Sequence, residues 1–158
     1  MDYALKIVFV CIGNTCRSPI AEFVAKKALK DKGIKNVCVL SRGVFVTEKS
    51  INPLSKQILD SKKLNIGNFR PKKLTKATAK NCDALIAMTD EIKNLLIEKG
   101  YDRVYSTDEL VGYDIPDPYG KGFDDYIECE DTIEAFVVEI VEMIEKILNG
   151  KVVDRGVI

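Results

Sequence analysis

The chain has 158 residues, of which 46% are apolar and 30% charged, and its 24 Lys and Arg balance its 24 Asp and Glu. That length suits one core, so a single domain over 1–158 is expected, and a net charge of zero excludes a global field that would draw the chain to nucleic acid or an anionic membrane. The absence of histidine excludes Ser-His-Asp triads, Cys-His dyads and histidine metal clusters, leaving acid–base work to carboxylates, Lys, Tyr or Cys.

Leu5 to Cys11 is an apolar run that reads as a strand buried on both faces. It is short and lacks a basic segment before it, so it does not read as a targeting signal. No stretch approaches the ~20 apolar residues of a membrane span. Pro19 fits the first turn of a helix that Ser18 could cap, with Ile20, Val24 and Ala28 on one face and Gly33 at the exit. A second strand is expected over Val37 to Ser41 and a helix over Pro53 to Lys63. Asp83 to Met88 reads as a third strand, Asp90 to Lys99 as a helix stopped by Gly100, and a short strand lies near Val104. A loop rich in Asp and Pro follows. The last helix, Phe123 to Leu148, carries Ile133, Phe136, Val137, Ile140, Val141, Ile144, Ile147 and Leu148 at core spacing.

Alternating strands and helices imply an α/β fold, a parallel sheet flanked by helices on both faces. Ligands of such sheets bind beyond the carboxyl ends of the strands, where Cys11 to Ser18 falls. This segment, Cys11-Ile12-Gly13-Asn14-Thr15-Cys16-Arg17-Ser18, joins a strand to a helix. Its free amides and the helix dipole suit phosphate or sulfate. Gly13 and Asn14 tolerate the backbone angles of a tight curl. Arg17 offers a planar fork for two phosphoryl oxygens. The same surroundings favour the thiolate of Cys11, a nucleophile in line with a bound phosphoryl group. Ser18 could donate a hydrogen bond to that sulfur and help it leave. A leaving group also needs a proton donor. Asp117, in Ile115-Pro116-Asp117-Pro118-Tyr119-Gly120, is the candidate, with Asp114 the neighbouring alternative.

Five cysteines cannot all pair with one another, and they read as reduced thiols of a cytoplasmic protein, with Cys38, Cys82 and Cys129 as packing residues. A thiol-dependent arsenate reductase would need two relay cysteines; Cys82 precedes a strand and the next, Cys129, is wrongly spaced. A non-catalytic phosphopeptide-binding module would keep Arg17 and the amides but would not need both Cys11 and Asp117. Nucleotide-binding glycine motifs do not occur.

Together, the Cys11–Ser18 loop with Pro19, Ser41-Arg42-Gly43, Ala87-Met88 and Asp117-Pro118-Tyr119 resemble the low-molecular-weight protein tyrosine phosphatase family over nearly the whole chain. The resemblance implies a four-stranded parallel sheet and a cysteinyl-phosphate mechanism with no metal or organic cofactor. It implies that Cys11 is the nucleophile, Arg17 the phosphate clamp and Asp117 the acid and then the base. Asn14, Ser18 and Ser41 would shape the loop, and the residues from Ile12 to Cys16, with Ser18, Phe45 and Tyr119, would bind substrate. Phosphorylated proteins would be the partners and inorganic phosphate the product. An oxidised Cys11 could be trapped by Cys16 as a disulfide.

Two departures stand out. The family often carries a His in the segment matching Asn68-Phe69-Arg70, and the position of Arg42 is usually small. Thr15 and the single aromatic of Asp-Pro-Tyr-Gly look like the bacterial protein arginine phosphatase branch, where tyrosine-directed members usually have an aliphatic residue and often two aromatics. Nine Asp or Glu and one Lys between Thr107 and Asp131 suggest an acidic rim that suits phosphoarginine, although helix N-termini also favour carboxylates. Phe45 and Tyr119 could sandwich either substrate. No role is assigned to 151–158.

Overall fold

The computed structural model describes residues 2–150, so the segment 151–158 lies outside the described residues. Four strands, β1 (Leu5–Cys11), β2 (Val37–Gly43), β3 (Ala84–Ala87) and β4 (Val104–Ser106), form one parallel sheet in the order β2-β1-β3-β4. The expected α/β fold with a four-stranded parallel sheet is present. β1 is central, and all but one of its residues are buried, as a strand covered on both faces requires.

Helix α1 (Arg17–Asp31) links β1 to β2, and α4 (Asp90–Glu98) links β3 to β4. These connections run in opposite directions across the sheet, so right-handed crossovers put them on opposite faces. The chain therefore diverges at the carboxyl end of β1, a topological switch point. Helix α6 (Phe123–Leu148) packs along α1, and α2 (Pro53–Ser61) touches both. At about 1.5 Å per residue α6 spans roughly 39 Å. Its stripe from Ile133 to Ile144 is buried, and Phe136 meets Phe9 of β1 edge-to-face at 5.9 Å. Ile147 and Leu148, expected in the same stripe, are only half-buried.

Two short helices were not anticipated: α3 (Lys76–Lys80) and α5 (Thr107–Val111). Each is started by a side-chain cap, Thr75 for α3 and Ser106 with Glu109 in a capping box for α5. Among the described residues no helix is long and apolar enough to cross a membrane.

Candidate active site

The segment from Cys11 to Cys16 leaves β1 and curls into α1. Its carbonyls are taken up by neighbouring backbone: Val44 N–H donates to Cys11 O at 3.0 Å, Phe45 N–H to Ile12 O at 2.8 Å, and Asn52 N–H to Thr15 O at 3.1 Å. With the carbonyls drawn outward, the amides of the turn are left for the concave side. Helix α1 starts at Arg17 with no side-chain cap and no acidic residue in its first turn. Its orphan N–H groups are therefore open to an external anion.

The expectation that Ser18 caps this helix is not met. The cap position is Cys16, and Ser18 lies inside the first turn, because its hydroxyl is engaged below the loop. Ser18 Oγ lies 2.8 Å from Cys11 Sγ and accepts from Asn14 Nδ2 at 2.9 Å. Asn14 also donates to Ser41 Oγ at 3.0 Å, and its Oδ1 accepts from the Lys72 backbone N–H at 2.9 Å. Ser41 in turn donates to Glu22 Oε1 at 2.6 Å, while Glu22 Oε2 pairs with Lys26 at 2.5 Å. This chain of bonds fixes Asn14 at φ 57°, a left-handed angle that Asn accepts and that tightens the curl. Gly13, expected to share that role, does not take a positive φ.

Three members of this network could not be named from sequence. Glu22 is almost fully buried, and a carboxylate survives such burial only when paired and hydrogen-bonded. One signal was available: Glu22 stands four residues after Ser18 and four before Lys26, on the buried side of α1. Lys72 contributes only its backbone, filling the acceptor need of Asn14 in a chain without histidine. Arg42, the unusual residue, donates to Ser41 O at 2.7 Å and so braces the same strand end.

Gly43 pairs with Cys11 in register, and here the backbone approach is close. A Cβ at this position would stand 2.8 Å from Ile12 O, 2.8 Å from Val46 Cγ2 and 3.0 Å from Asn14 N. Two of those atoms are backbone of the loop. We expect Gly43→Ala to destabilise the fold by about 2 kcal/mol, the scale of overpacking, and to lower activity roughly 100-fold by displacing the curl about 1 Å. Thermal unfolding and steady-state rates check both numbers.

Above the loop lies a cavity of about 220 Å³. Cys11, Gly13, Thr15, Cys16 and Arg17 form its floor, and Ile12, Phe45 and Tyr119 its apolar walls. Phe45 is 66% exposed and Tyr119 63%, so both rings stand free at the mouth. Asp117, Thr47 and Glu48 also line the cavity, and the last two were not foreseen. Asn14 and Ser18, expected to bind substrate as well as shape the loop, do not line it, because both side chains turn into the buried network.

Arg17 is buried with its guanidinium at the cavity floor. Its Nη1 donates to Ile115 O at 3.1 Å, and its Nη2 lies 3.5 Å from Asp117 Oδ2. The Asp117 loop is itself tied to the sheet, since Ile115 N–H donates to Met88 O at 2.8 Å just after β3. Thr107 Oγ1 adds a bond to Met88 O at 3.0 Å. Asp117 Oδ1 accepts from Tyr119 N–H at 3.0 Å, closing a turn that leaves the other oxygen toward Arg17. Asp114 is spent elsewhere, accepting from the Asp90 backbone N–H at 3.0 Å. The acidic rim expected between Thr107 and Asp131 does not form as a unit: of those carboxylates only Asp117 lines the cavity. Asp124 and Asp125 sit in the first turn of α6, and Glu130 is buried beside Lys62.

All five cysteines are free thiols. Burial pushes the Cys16 thiol up, with the neighbouring Cys11 adding to it and the nearby hydroxyls of Thr15, Ser55 and Tyr126 opposing. Burial likewise pushes Cys129 up to about 12, with Arg17 opposing. Both therefore stay protonated under the loop. Cys82, the residue a disulfide relay would need, is buried and donates to Ala79 O at 3.2 Å. It precedes β3, at the opposite end of the parallel sheet from Cys11. Cys38 is half-buried, more exposed than a packing residue usually is.

Taken together, a free thiol, a phosphate-sized amide nest, a buried guanidinium and a carboxylate at the rim can carry out attack, charge stabilisation and proton transfer in one cavity. The profile of the family described as low molecular weight phosphotyrosine protein phosphatase matches residues 6–149. The chain is 39% identical over 131 residues to low molecular weight protein-tyrosine-phosphatase PtpB of Staphylococcus haemolyticus, covering 77% of this chain and 87% of that protein. It is 31% identical to the protein-arginine-phosphatase of Bacillus subtilis over 90% of this chain and 98% of that one. Among solved structures, a YwlE mutant from Bacillus subtilis superposes with a TM-score of 0.84 at 29% identity, covering 90% of this chain and all of that chain. The YwlE arginine phosphatase mutant with a phosphorylated active-site serine also gives 0.84, at 31% identity over 90% of this chain and 97% of that one.

Proposed function

We propose, on the premise that this chain belongs to the low molecular weight phosphotyrosine protein phosphatase family and is a low-molecular-weight protein phosphatase, that it hydrolyses phosphoarginine in proteins in preference to phosphotyrosine. The observation that carries the preference is Thr15, a buried residue that lines the cavity together with Cys11. A hydroxyl there offers a hydrogen-bond partner to a guanidino N–H, which a phenol ring does not possess. The single aromatic of the Asp117 loop, Tyr119, agrees with that reading, as does the similarity to a protein named an arginine phosphatase.

In this reading the phosphoryl group sits on the loop amides with Arg17 bridging two of its oxygens. Cys11 Sγ attacks phosphorus, the bond to the substrate nitrogen breaks, and Asp117 supplies the proton that nitrogen takes. The Ser18 hydroxyl, 2.8 Å from the sulfur, stabilises the thiolate before attack and again as it leaves. Asp117 then takes a proton from water as that water attacks the cysteinyl phosphate, releasing inorganic phosphate. The phosphorylated active-site serine of the related YwlE mutant supports a covalent phosphoryl intermediate. Free thiols throughout the chain support a cytoplasmic setting.

The test is a pair of peptides of one sequence, bearing phosphoarginine or phosphotyrosine, given to wild type and to Thr15→Ile. The wild-type protein should favour phosphoarginine in kcat/KM. Thr15→Ile should reduce that preference about tenfold, the loss of one buried hydrogen bond. An unchanged preference would remove Thr15 as its cause, and a wild-type preference for phosphotyrosine would remove the reading itself.

A further inference from the structure

Glu48 reaches the cavity mouth from outside every motif the sequence presents. The segment that carries it is fastened to the loop at both ends. At one end Phe45 N–H donates to Ile12 O at 2.8 Å, and at the other Asn52 N–H donates to Thr15 O at 3.1 Å. Residues 45–52 thus form a strap across the rim, and Thr47 and Glu48 in its middle line the cavity. The strap's position is coupled to the curl of the loop.

The charges at the cavity are unequal. Among the described residues the one cationic side chain lining it, Arg17, is buried and held by Ile115 O and Asp117. The two carboxylates that line it, Asp117 and Glu48, are both open to solvent. The exposed part of the lining is therefore acidic, and the group that carries the phosphate must leave the cavity past it. A phosphoarginine presents a guanidino group there. One nitrogen bears phosphorus, and the other two keep N–H bonds that point away from it. A phenol presents only carbon there.

We propose that Glu48 is a specificity-determining residue that accepts hydrogen bonds from the guanidino N–H groups of phosphoarginine in the cavity it shares with Thr15 and Asp117. This deepens the substrate reading given above and rests on it. Proton transfer to the leaving nitrogen remains with Asp117, so Glu48 acts on binding. A carboxylate paired with a guanidino fork is geometrically selective as well as attractive. Against a phenol the same carboxylate gains no partner while losing water, which disfavours that substrate. The side chain is exposed, so the effect is that of a partly solvated ion pair, on the order of fivefold.

The experiment measures kcat and KM for free phosphoarginine and for matched phosphoarginine and phosphotyrosine peptides with neutral flanks, at low salt. The proteins are wild type, Glu48→Gln and Glu48→Lys. The ratio of kcat/KM for phosphoarginine over phosphotyrosine should fall about fivefold in Glu48→Gln and further in Glu48→Lys. The change should lie in KM and should appear equally with free phosphoarginine. A ratio that does not move overturns the inference, as does a loss confined to peptides, which would make Glu48 a reader of neighbouring residues. If wild type prefers phosphoarginine and the Glu48 variants keep that preference, this inference alone fails. If wild type prefers phosphotyrosine, the substrate reading fails and takes the inference with it.

Discussion

Cys11→Ser should leave no measurable turnover of any phosphorylated substrate, a loss on the order of 10⁴-fold or more. The geometry explains why an atom so similar in size fails. The Cys11 sulfur stands at the carboxyl end of β1, 2.8 Å from the Ser18 hydroxyl, and lines the cavity in which a phosphoryl group would sit. A serine hydroxyl in the same place holds its proton far more tightly, and any phosphate it did accept would be trapped, because an alkoxide leaves far less readily than a thiolate. The chain contains no histidine to remove that proton, and the cavity's carboxylates are at its rim, with Asp117 engaged by Arg17 and Tyr119. The amide nest and Arg17 are untouched by the exchange, so phosphate binding should stay within about threefold of wild type, since the lost group is no part of the seat. Isothermal titration with inorganic phosphate, alongside rates on phosphoarginine and phosphotyrosine peptides, separates the two effects. Retained turnover would remove Cys11 from the mechanism. Lost binding as well would mean that the loop had collapsed, and that the rate says nothing about the nucleophile.

The parts of the fold legible in the sequence were those with enough residues to show a period. β1 announced itself as seven residues that are almost all apolar, and α6 as a buried stripe repeated along 26 residues. Helices α3 and α5 have five residues each, too few for any periodic pattern to rise above chance. What makes them is a cap, and Ser106 with Glu109 three positions later could have been read as one. Ser18 misled for a related reason. It is a residue that often caps, but here its hydroxyl has stronger uses beside Cys11 Sγ and Asn14.

The site divides along similar lines. Cys11 and Arg17 were visible because they stand close together in a loop between a strand and a helix, and Asp117 because a proline flanks it on each side. Glu22 was hidden among many surface-like carboxylates until packing buried it under Ser41. Thr47 and Glu48 were hidden more deeply. Their approach to the cavity depends on backbone N–H groups of Phe45 and Asn52, and every non-proline residue has the same backbone N–H. The acidic rim failed in the opposite direction. Charges that are neighbours in sequence were dispersed by α5, by the first turn of α6 and by the pair Glu130–Lys62.

Asp117→Asn should slow turnover by about 10² to 10⁴, the range for losing a positioned acid–base group, and the two halves of the reaction should suffer unequally. With p-nitrophenyl phosphate the leaving group departs without a proton, so Cys11 can still become phosphorylated. Hydrolysis then needs a base for water, which the amide cannot be. Phosphoenzyme should accumulate, and intact-mass measurement after acid quench should find one phosphoryl group per chain. With a phosphoarginine peptide the first step also needs the missing proton, so less phosphoenzyme should build up. Asparagine is the informative replacement because it keeps an acceptor oxygen for the Tyr119 N–H, now met at 3.0 Å, and so preserves the turn. It gives up the charge facing Arg17 Nη2 at 3.5 Å, but Asp117 is half-exposed and the buried guanidinium keeps its bond to Ile115 O, so the pair contributes on the order of 1 kcal/mol to stability. The variant should therefore unfold within a few degrees of wild type. A quenched sample in which the slowed variant never carries phosphate would take Asp117 out of the second step.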